Sequence, residues 1–165
     1  MKTTILRALF FVAMVTGLSA TAQAEELPRD QHAISRKAMN DPTDVQEYQA
    51  ITEVLSKYIE GCKQAKSSIM KPAFSKHATM YSIGADGHLV GGPIQSLFDG
   101  IDKDFRPSPN AQAAITGINI VGTAASARID ANGMSGISFT DFFHLLKVDG
   151  KWTVVSKIYY THPNH

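Results

Sequence analysis

Residues 75–84, SKHATMYSIG, place a histidine, a tyrosine and a serine in one short segment. A histidine side chain exchanges a proton near neutral pH, and tyrosine and serine hydroxyl groups hydrogen-bond ligands. The segment alternates as a β-strand does, so His77 and Tyr81 share one side and Met80 and Ser82 share the other. One of these two sides must face the interior of the fold. The sequence does not decide which side it is.

Asp141 is a second candidate, because it is a carboxylate in an apolar segment near the end of the chain. If Asp149-Gly150 forms a two-residue turn, Val148 pairs with Lys151, and the register of both strands follows. One face of this hairpin is then mostly apolar and consists of Ile137, Phe139, Asp141, Phe143, Leu145, Trp152, Val154, Ser156, Ile158 and Tyr160. The other face is mixed and consists of Ser138, Thr140, Phe142, His144, Leu146, Thr153, Val155, Lys157, Tyr159 and Thr161. We predict that the apolar face lies against the interior and that the mixed face is solvated or contacts another subunit.

An aspartate on an apolar face must be hydrogen-bonded, have a raised pKa or border a water-filled cavity. The residues allow two interpretations of Asp141. It is either the acid or base of a pocket, or a buried structural group bonded to a tyrosine or to backbone N–H groups. On the same register Lys157 belongs to the outer face and is expected to be solvated. An error of one residue in the register would turn Asp141 outward.

A long amphipathic helix precedes the strands. Thr43 and Gln46 form a capping-box pattern at its start, and apolar residues then recur every three or four positions until the helix ends near 61–65. This stripe consists of Tyr48, Ile51, Leu55, Tyr58, Ile59 and Cys62. The other predicted elements are a short helix over 67–74, a strand over 77–83, a short strand after the Asp86-Gly87 turn, a helix from Pro93 to 105, and strands over 111–121, 123–130, 136–148 and 151–162. This order indicates an α+β fold, with helices on one face of an antiparallel sheet.

The first 24 residues have the pattern of a secretory signal peptide. Two basic residues precede the apolar run 8–18, and Ala22-Gln23-Ala24 matches the small-x-small rule for cleavage. The run is shorter than the ~20 residues that span a bilayer, which disfavours the alternative of an uncleaved anchor. We therefore expect a periplasmic or secreted protein. The predicted organisation is a signal peptide over 1–24, a flexible lead-in over 25–42 and a single domain over 43–165.

Charge and cysteine content narrow the classes of function. The chain has 16 Lys and Arg against 15 Asp and Glu, a formal net charge of +1, and loss of the signal peptide with its two basic residues leaves −1. A near-neutral chain without a basic run is not expected to bind nucleic acid, and we expect no membrane contact after cleavage. Cys62 is the single cysteine, so no internal disulfide forms. Nucleotide-binding motifs and closely spaced metal ligands are missing, so we expect neither a cofactor nor a metal.

The layout resembles the nuclear-transport-factor-like superfamily over roughly 43–162. The matching features are the long first helix, the hairpin FSKHATMYSIGADGHLVGG, a helix that begins at a proline and the closing TDFFHLLKVDGKWTVVSKIYY. That superfamily includes the ketosteroid isomerases and the SnoaL-like polyketide cyclases, and the subgroup that this chain resembles most is labelled "putative lumazine-binding". The resemblance implies a strongly curved antiparallel sheet wrapped around the N-terminal helices, a cone-shaped, cystatin-like roll whose mouth leads to a cavity. It also implies a homodimer through the outer sheet face.

The ketosteroid isomerases use three side chains that can be sought here. A helix tyrosine and a late aspartic acid form their oxyanion hole, and a second aspartate is their base. The resemblance places Tyr58 where the helix tyrosine could be and Asp141 near the late aspartic acid. The base position falls on or next to Ser82, whose hydroxyl cannot remove a carbon-bound proton without a partner base. The resemblance therefore implies a possible oxyanion site without a base, and His77 is the alternative base.

The sequence favours a small-molecule-binding protein with a mainly apolar pocket and an unknown ligand. The candidate lining residues are Tyr58, Tyr81, Ser82, Asp141, Ser156 and Tyr160. One alternative is an enzyme of the cyclase, isomerase or dehydratase kind that uses Asp141 or His77. The other is a structural or assembly module with a vestigial pocket. The missing base weighs against the enzyme, and the buried carboxylate weighs against a purely structural role.

Overall fold

The structure, a computed structural model, describes residues 42–163. The predicted signal peptide over 1–24 and residues 25–41 of the predicted lead-in lie outside the described residues. The described chain forms, in order, helix α1 (Pro42–Gln64), helix α2 (Ser67–Met70), a 3₁₀ turn (Lys71–Ala73), strands β1 (Phe74–Ile83) and β2 (Leu89–Pro93), helix α3 (Gln95–Lys103), and strands β3 (Gln112–Val121), β4 (Ala124–Met134), β5 (Ile137–Val148) and β6 (Lys151–His162). None of the helices in this part of the chain is long and apolar enough to cross a membrane.

Within residues 74–162 the strands form one open sheet in the order β2-β1-β6-β5-β4-β3. Neighbouring strands run antiparallel except β1 and β6, which pair in parallel. The predicted α+β class is confirmed, and the expectation of a purely antiparallel sheet is wrong at this one ladder. A hairpin forces its two strands to run in opposite directions, but β1 and β6 are separated by most of the domain, so their pairing is free of that constraint.

Helix α1 buries one stripe of its surface against the inner face of the sheet. Four residues of the predicted stripe are almost fully buried: Ile51, Leu55, Tyr58 and Cys62. Their spacing brings them to the same side of the helix, where they join the aliphatic and aromatic side chains of β5 and β6 in one core. The other two predicted residues lie at the border of the stripe, with Tyr48 43% exposed and Ile59 half-buried.

Several element boundaries differ from the predictions by a few residues. β1 begins at Phe74, before the predicted start at 77, and Pro93 ends β2 instead of beginning the helix. Helix α3 starts at Gln95. β4 continues past its predicted end at 130 to Met134, and Gly133 adopts a positive φ of 77° inside an irregular part of the β4–β5 ladder. These shifts leave the order of the elements as predicted.

Val155 interrupts the regular pairing of β5 and β6. The predicted register holds from the turn as far as Leu145 opposite Val154, and beyond this pair His144 lies opposite Ser156. Val155 is therefore an additional residue on β6, a β-bulge. Since side chains alternate between the two faces, one extra residue exchanges the faces of everything that follows it.

The bulge inverts the predicted faces of the second half of β6. Three residues that were predicted to face outward turn inward: Lys157, Tyr159 and Thr161. Three that were predicted to face inward turn outward: Ser156, Ile158 and Tyr160. Lys157 is 3% exposed, whereas Ile158 and Tyr160 are 48% and 59% exposed. The predicted faces are correct for β5 and for the first half of β6, and wrong for the second half.

Two carboxylates fasten the helices to their surroundings. Glu47 of α1 accepts hydrogen bonds from Lys147 Nζ and Trp152 Nε1, each at 2.5 Å, which joins this helix to the β5–β6 hairpin. Asp102 of α3 accepts from the backbone N–H and the hydroxyl of Ser67, at 2.7 and 2.6 Å, which joins α3 to α2. These hydrogen bonds lower the pKa of both carboxyl groups, because they stabilise the charged form.

Asp130 is the centre of a polar network on the outer face of the sheet. Its Oδ1 accepts from Thr140 Oγ1 at 2.7 Å and from the Arg128 guanidinium at 2.9 Å, and its Oδ2 accepts from Thr116 Oγ1 at 2.8 Å. Thr140 Oγ1 also lies 3.0 Å from Nε2 of His162. These hydrogen bonds, of which that from Thr140 has the largest effect, hold the pKa of Asp130 at about 2.

We expect Asp130→Asn to lower the free energy of unfolding at neutral pH, because it removes the charge that these hydrogen bonds stabilise. The loss should be about 1 kcal/mol, since partial exposure to water weakens the charge interactions. The carboxyl pKa is lower in the folded state than in the unfolded state. The contribution is therefore present above ~3.9 and is lost as the pH falls toward about 2. Urea unfolding of both proteins between about pH 7 and about pH 2.5 measures the difference. A difference that stays constant over this range would contradict the assignment.

Candidate functional site

A cavity of about 250 Å³ lies between the inner face of the sheet and helices α1 and α3. Most of its lining is apolar, with Met80 from β1, Leu97 and Ile101 from α3, and Phe139 from β5. The lining side chains that carry polar groups are Tyr58, Cys62, Ser96, Lys157, Tyr159 and Thr161. The cavity thus combines an apolar wall with a small polar cluster supplied mainly by α1 and the second half of β6.

Among the described residues that line the cavity, Lys157 is the one with a full charge. Its Nζ lies 2.6 Å from Asp141 Oδ1, 3.9 Å from Met80 Sδ and 4.1 Å from the centre of the Tyr159 ring. The rings of Tyr58 and Phe139 lie farther away, with centres at 5.7 and 5.9 Å. The ammonium group is therefore removed from water and stabilised by one carboxylate and by the faces of aromatic rings.

Asp141 is fully buried and lies next to the cavity without lining it. Its Oδ2 accepts a hydrogen bond of 2.6 Å from the Tyr58 hydroxyl. Its Oδ1 makes the ion pair with Lys157 but accepts no aligned hydrogen bond within residues 42–163. Burial raises the pKa of Asp141, and the ion pair with Lys157 and the hydrogen bond from Tyr58 oppose this rise. Asp141 can therefore act on a molecule in the cavity through its two partners.

Tyr58 is fixed in position by its surroundings. Its ring makes edge-to-face contacts with Phe74 and Phe143, at centre distances of 6.1 and 5.1 Å. Burial raises the pKa of Tyr58 well above its usual value, and the nearby Asp141 carboxylate adds to this. Burial also raises the pKa of Cys62, one turn along the helix, to about 12. Both groups therefore keep their protons, and the tyrosine is a hydrogen-bond donor.

The structure brings two of the sequence-predicted site residues together, Tyr58 and Asp141. The resemblance to the isomerases implied that both would donate hydrogen bonds into the cavity, but the Tyr58 hydroxyl donates to Asp141 instead. Ser156 and Tyr160 face away from the cavity, because the bulge turns them to the outer side of the sheet. Their predicted position in the pocket was wrong for this reason.

Strand β1 presents its apolar side to the interior. Ala78 is buried and Met80 lines the cavity, whereas His77 is exposed on the opposite side. Tyr81 pairs with the outward-facing Ile158 and shares its face. Ser82 lies on the same side as Met80 but outside the cavity lining. The polar groups of the SKHATMYSIG segment therefore do not line this cavity.

Sequence reasoning missed Lys157 and Tyr159, which are the polar residues at the centre of the site. Both were assigned to the outer face by extending the hairpin register without a bulge. A bulge is often marked by glycine, but Val155 fits a regular strand equally well, so the sequence offers no local signal. The one available indication was indirect, since Asp141 on a regular register would have been buried without a cationic partner.

We expect Tyr58→Phe to lower the free energy of unfolding by about 1.5–3 kcal/mol, because it removes a hydrogen bond to a buried charged group. Tyr48→Phe is the matched control. The Tyr48 hydroxyl donates to the backbone oxygen of Ile118 at 2.8 Å in a more exposed setting, so its loss should cost about 1 kcal/mol or less. Urea denaturation at neutral pH measures both values. Equal losses in the two variants would argue against a special role of the Asp141 contact.

Comparison with known proteins finds similar sequences and structures. Residues 46–160 match the model of a family described as "Putative lumazine-binding". An NTF2-like protein of unknown function from Shewanella baltica is 66% identical, with a TM-score of 0.74 over 75% of this chain and 100% of that chain. A second NTF2-like protein of unknown function, from Methylobacillus flagellatus, is 40% identical, with a TM-score of 0.67 over 72% of this chain and 94% of that chain.

A curated relative has a named activity. The aldolase FrzH from a Cladobotryum species is 28% identical over 121 residues, which cover 71% of this chain and 93% of that protein. The resemblance predicted from the sequence, to the nuclear-transport-factor-like superfamily and its lumazine-binding subgroup, is confirmed by the family match and the similar structures. The chain belongs to the "Putative lumazine-binding" family and has the NTF2-like fold.

Proposed function

We propose that the protein binds a small, mainly apolar molecule with a carbonyl group in this cavity, and that Lys157 is the polar anchor of the ligand. The observation that carries the proposal is a buried ammonium group in the lining of an otherwise mainly apolar cavity. Burial of an ammonium group costs several kcal/mol, and its partners must offset this cost. A site of this kind is favourable for a ligand that offers an acceptor oxygen to the cation.

The donors of Lys157 are not all used by the protein. An ammonium group has three N–H donors. The Asp141 carboxylate is close, but its Oδ1 accepts no aligned hydrogen bond among the described residues, and the sulfur of Met80 is a weak acceptor. A carbonyl oxygen in the cavity would therefore add a charge-assisted hydrogen bond without displacing a strong existing one.

The size and lining of the cavity suit a small ring compound. Its volume of about 250 Å³ lies slightly below the ~300–1,000 Å³ of typical ligand pockets. The aromatic rings of Phe139 and Tyr159 are in the lining and can stack on a planar ligand. Lumazine, the compound in the family description, is a planar bicyclic ring with two carbonyl groups, and the aldolase relative belongs to a class that acts on carbonyl compounds. Both names support a carbonyl ligand.

The two alternatives from the sequence are less well supported. An enzyme that uses Asp141 or His77 directly would need these groups in contact with the bound molecule, but neither residue is in the cavity lining. A structural module with a vestigial pocket would be expected to fill its interior, and a cavity of about 250 Å³ argues against it. If the signal peptide predicted over 1–24 directs export, the ligand is encountered outside the cytoplasm.

We expect Lys157→Met to weaken the binding of lumazine or acetophenone by about tenfold to a hundredfold, because it removes a hydrogen bond from a charged donor while keeping an unbranched side chain. Isothermal titration calorimetry measures the affinities. Lys147→Met is the control, since Lys147 is also in an ion pair, with Glu47, away from this cavity. Should Lys157→Met be too unstable, Lys157→Met/Asp141→Asn removes both buried charges together. Unchanged affinity in these variants would contradict the proposed anchor.

We also propose that two copies of the chain pair through the outer face of the sheet. Five large apolar residues on β5 and β6 are substantially exposed there: Phe142, Leu146, Val148, Ile158 and Tyr160. The pairing of Phe142 with Ile158 brings two of them side by side on adjacent strands. Exposed apolar side chains that lie side by side on adjacent strands are typical of a protein–protein interface.

We expect Ile158→Asp to convert a wild-type dimer into a monomer, because the carboxylate would be buried without a partner in the interface. Size-exclusion chromatography with light scattering measures the mass. Val121→Asp is the control, since Val121 is the most exposed large apolar residue of the described chain and lies at the end of β3, away from this surface. A monomeric wild type, or a dimer that tolerates Ile158→Asp, would count against this interface.

A further inference from the structure

We propose that Lys157 forms an imine with an aldehyde or ketone bound in the cavity, and that Asp141 takes and returns the protons of this reaction. The inference rests on the proposed binding function and deepens it, because the ligand's carbonyl carbon becomes bonded to the lysine nitrogen. Lysine side chains placed in apolar pockets are suited to this chemistry. Nothing in it requires a metal, an oxidant or a reductant.

The position of Nζ suits a nucleophile. Lys157 lines the cavity but is almost completely shielded from bulk water, so a ligand does not have to displace a full shell of water from its nitrogen. The contacts with Asp141 Oδ1 at 2.6 Å and with the Tyr159 ring at 4.1 Å fix the end of a side chain that is otherwise flexible. An electrophile held between the apolar walls would meet the nitrogen in a restricted range of orientations.

The amine must lose a proton before it can attack, and Asp141 is placed to accept it. Oδ1 is the nearest oxygen, and it accepts no aligned hydrogen bond within the described chain, so a lone pair is available. The Tyr58 hydroxyl donates to Oδ2 and keeps the carboxylate oriented with Oδ1 toward the lysine. Burial raises the pKa of Asp141, which favours its taking up the proton.

The reaction balances with these groups alone. The proton of Nζ moves to Asp141, and the nitrogen lone pair forms a C–N bond while the C=O π electrons move to oxygen. A proton passes from this nitrogen to the oxygen, which gives a neutral carbinolamine. Asp141 returns its proton to the nitrogen, a proton passes from the nitrogen to the hydroxyl group, and the nitrogen lone pair then expels water. The sum is ammonium plus carbonyl to iminium plus water.

The surroundings that stabilise the ammonium also stabilise the iminium ion. The positive charge stays on the same nitrogen, next to the Asp141 carboxylate and over the Tyr159 ring. Cys62 is the other nucleophile in the lining, but burial raises the pKa of its thiol to about 12, and the protonated thiol is a poor nucleophile. Lys157 is therefore the group in this cavity that is expected to react.

Reductive trapping tests the proposal on the folded wild-type protein. Benzaldehyde or acetophenone is added with sodium cyanoborohydride, which reduces an imine to a stable secondary amine, and the products are analysed by intact mass and peptide mapping. The expected adduct adds the mass of the carbonyl compound less one oxygen atom. It should form at Lys157 at least about tenfold faster than at an exposed lysine such as Lys151. Unfolding in urea should abolish this preference.

Binding measurements with two compounds distinguish a failure of the imine proposal from a failure of the binding proposal. Benzyl alcohol has a similar shape but no carbonyl group, so calorimetry with this compound reports binding alone. If benzyl alcohol and benzaldehyde bind and Lys157 is not trapped, the imine proposal is wrong and the binding function stands. If neither compound binds and no adduct forms at Lys157, both proposals fail. Labelling spread evenly over the exposed lysines also overturns the imine proposal.

Variants of two lysines provide the controls. Lys157→Met should lose the cavity adduct, and Lys147→Met should keep it, since Lys147 lies outside the cavity lining. The peptide map of the wild type identifies the labelled residue by itself, so the test does not depend on whether Lys157→Met folds. The imine would be supported by three results together: trapping at Lys157 in the wild type, the same trapping in Lys147→Met, and no adduct with benzyl alcohol.

Discussion

An ammonium group and a carboxylate lie together in the interior of this domain, and the elements around them are arranged so that neither charge is left alone. Removal of an ion pair from water costs several kcal/mol per ion and is offset only by close pairing and further hydrogen bonds. Asp141 meets this condition with Lys157 and Tyr58, and Lys157 meets it with Asp141 and the Tyr159 ring. Helix α1 and strands β5 and β6 each supply part of the cluster. The packing of these three elements is therefore coupled through one small set of contacts.

The bulge at Val155 makes this pairing possible. The first half of β6 has the regular register and gives Trp152 and Val154 to the core. One additional residue then brings Lys157 to the inner face, beside Asp141 on the neighbouring strand. A single strand thus serves two purposes: its first half completes an apolar core, and its second half provides the polar side of a cavity.

Much of the fold follows from local patterns in the sequence. The apolar spacing of α1 predicted the buried side of the helix, and Asp149-Gly150 predicted the turn and the register next to it. Tyr58 and Asp141 were both recognised as candidates, and the structure joins them by a hydrogen bond. Lys157 was assigned to the wrong face, because the register was extended past the bulge at Val155, and a valine gives no sequence signal of a bulge. The bulge is favoured by the ion pair between Lys157 on β6 and Asp141 on β5. A contact between two strands is not visible in the periodicity of either strand.

The bulge also affects how related proteins can differ. If the bulge were lost and Val155 paired regularly, β6 would alternate strictly and every later side chain of the strand would change sides. Ser156, Ile158 and Tyr160 would then enter the cavity, while Lys157 would move to the opposite surface. The chemistry of the interior and the character of the exterior would change in one step, although no side chain had been replaced. Gain or loss of a bulge in this strand is thus a route by which one fold can acquire different ligands, and residues of β6 that align without a gap face the same side only where both chains have the bulge.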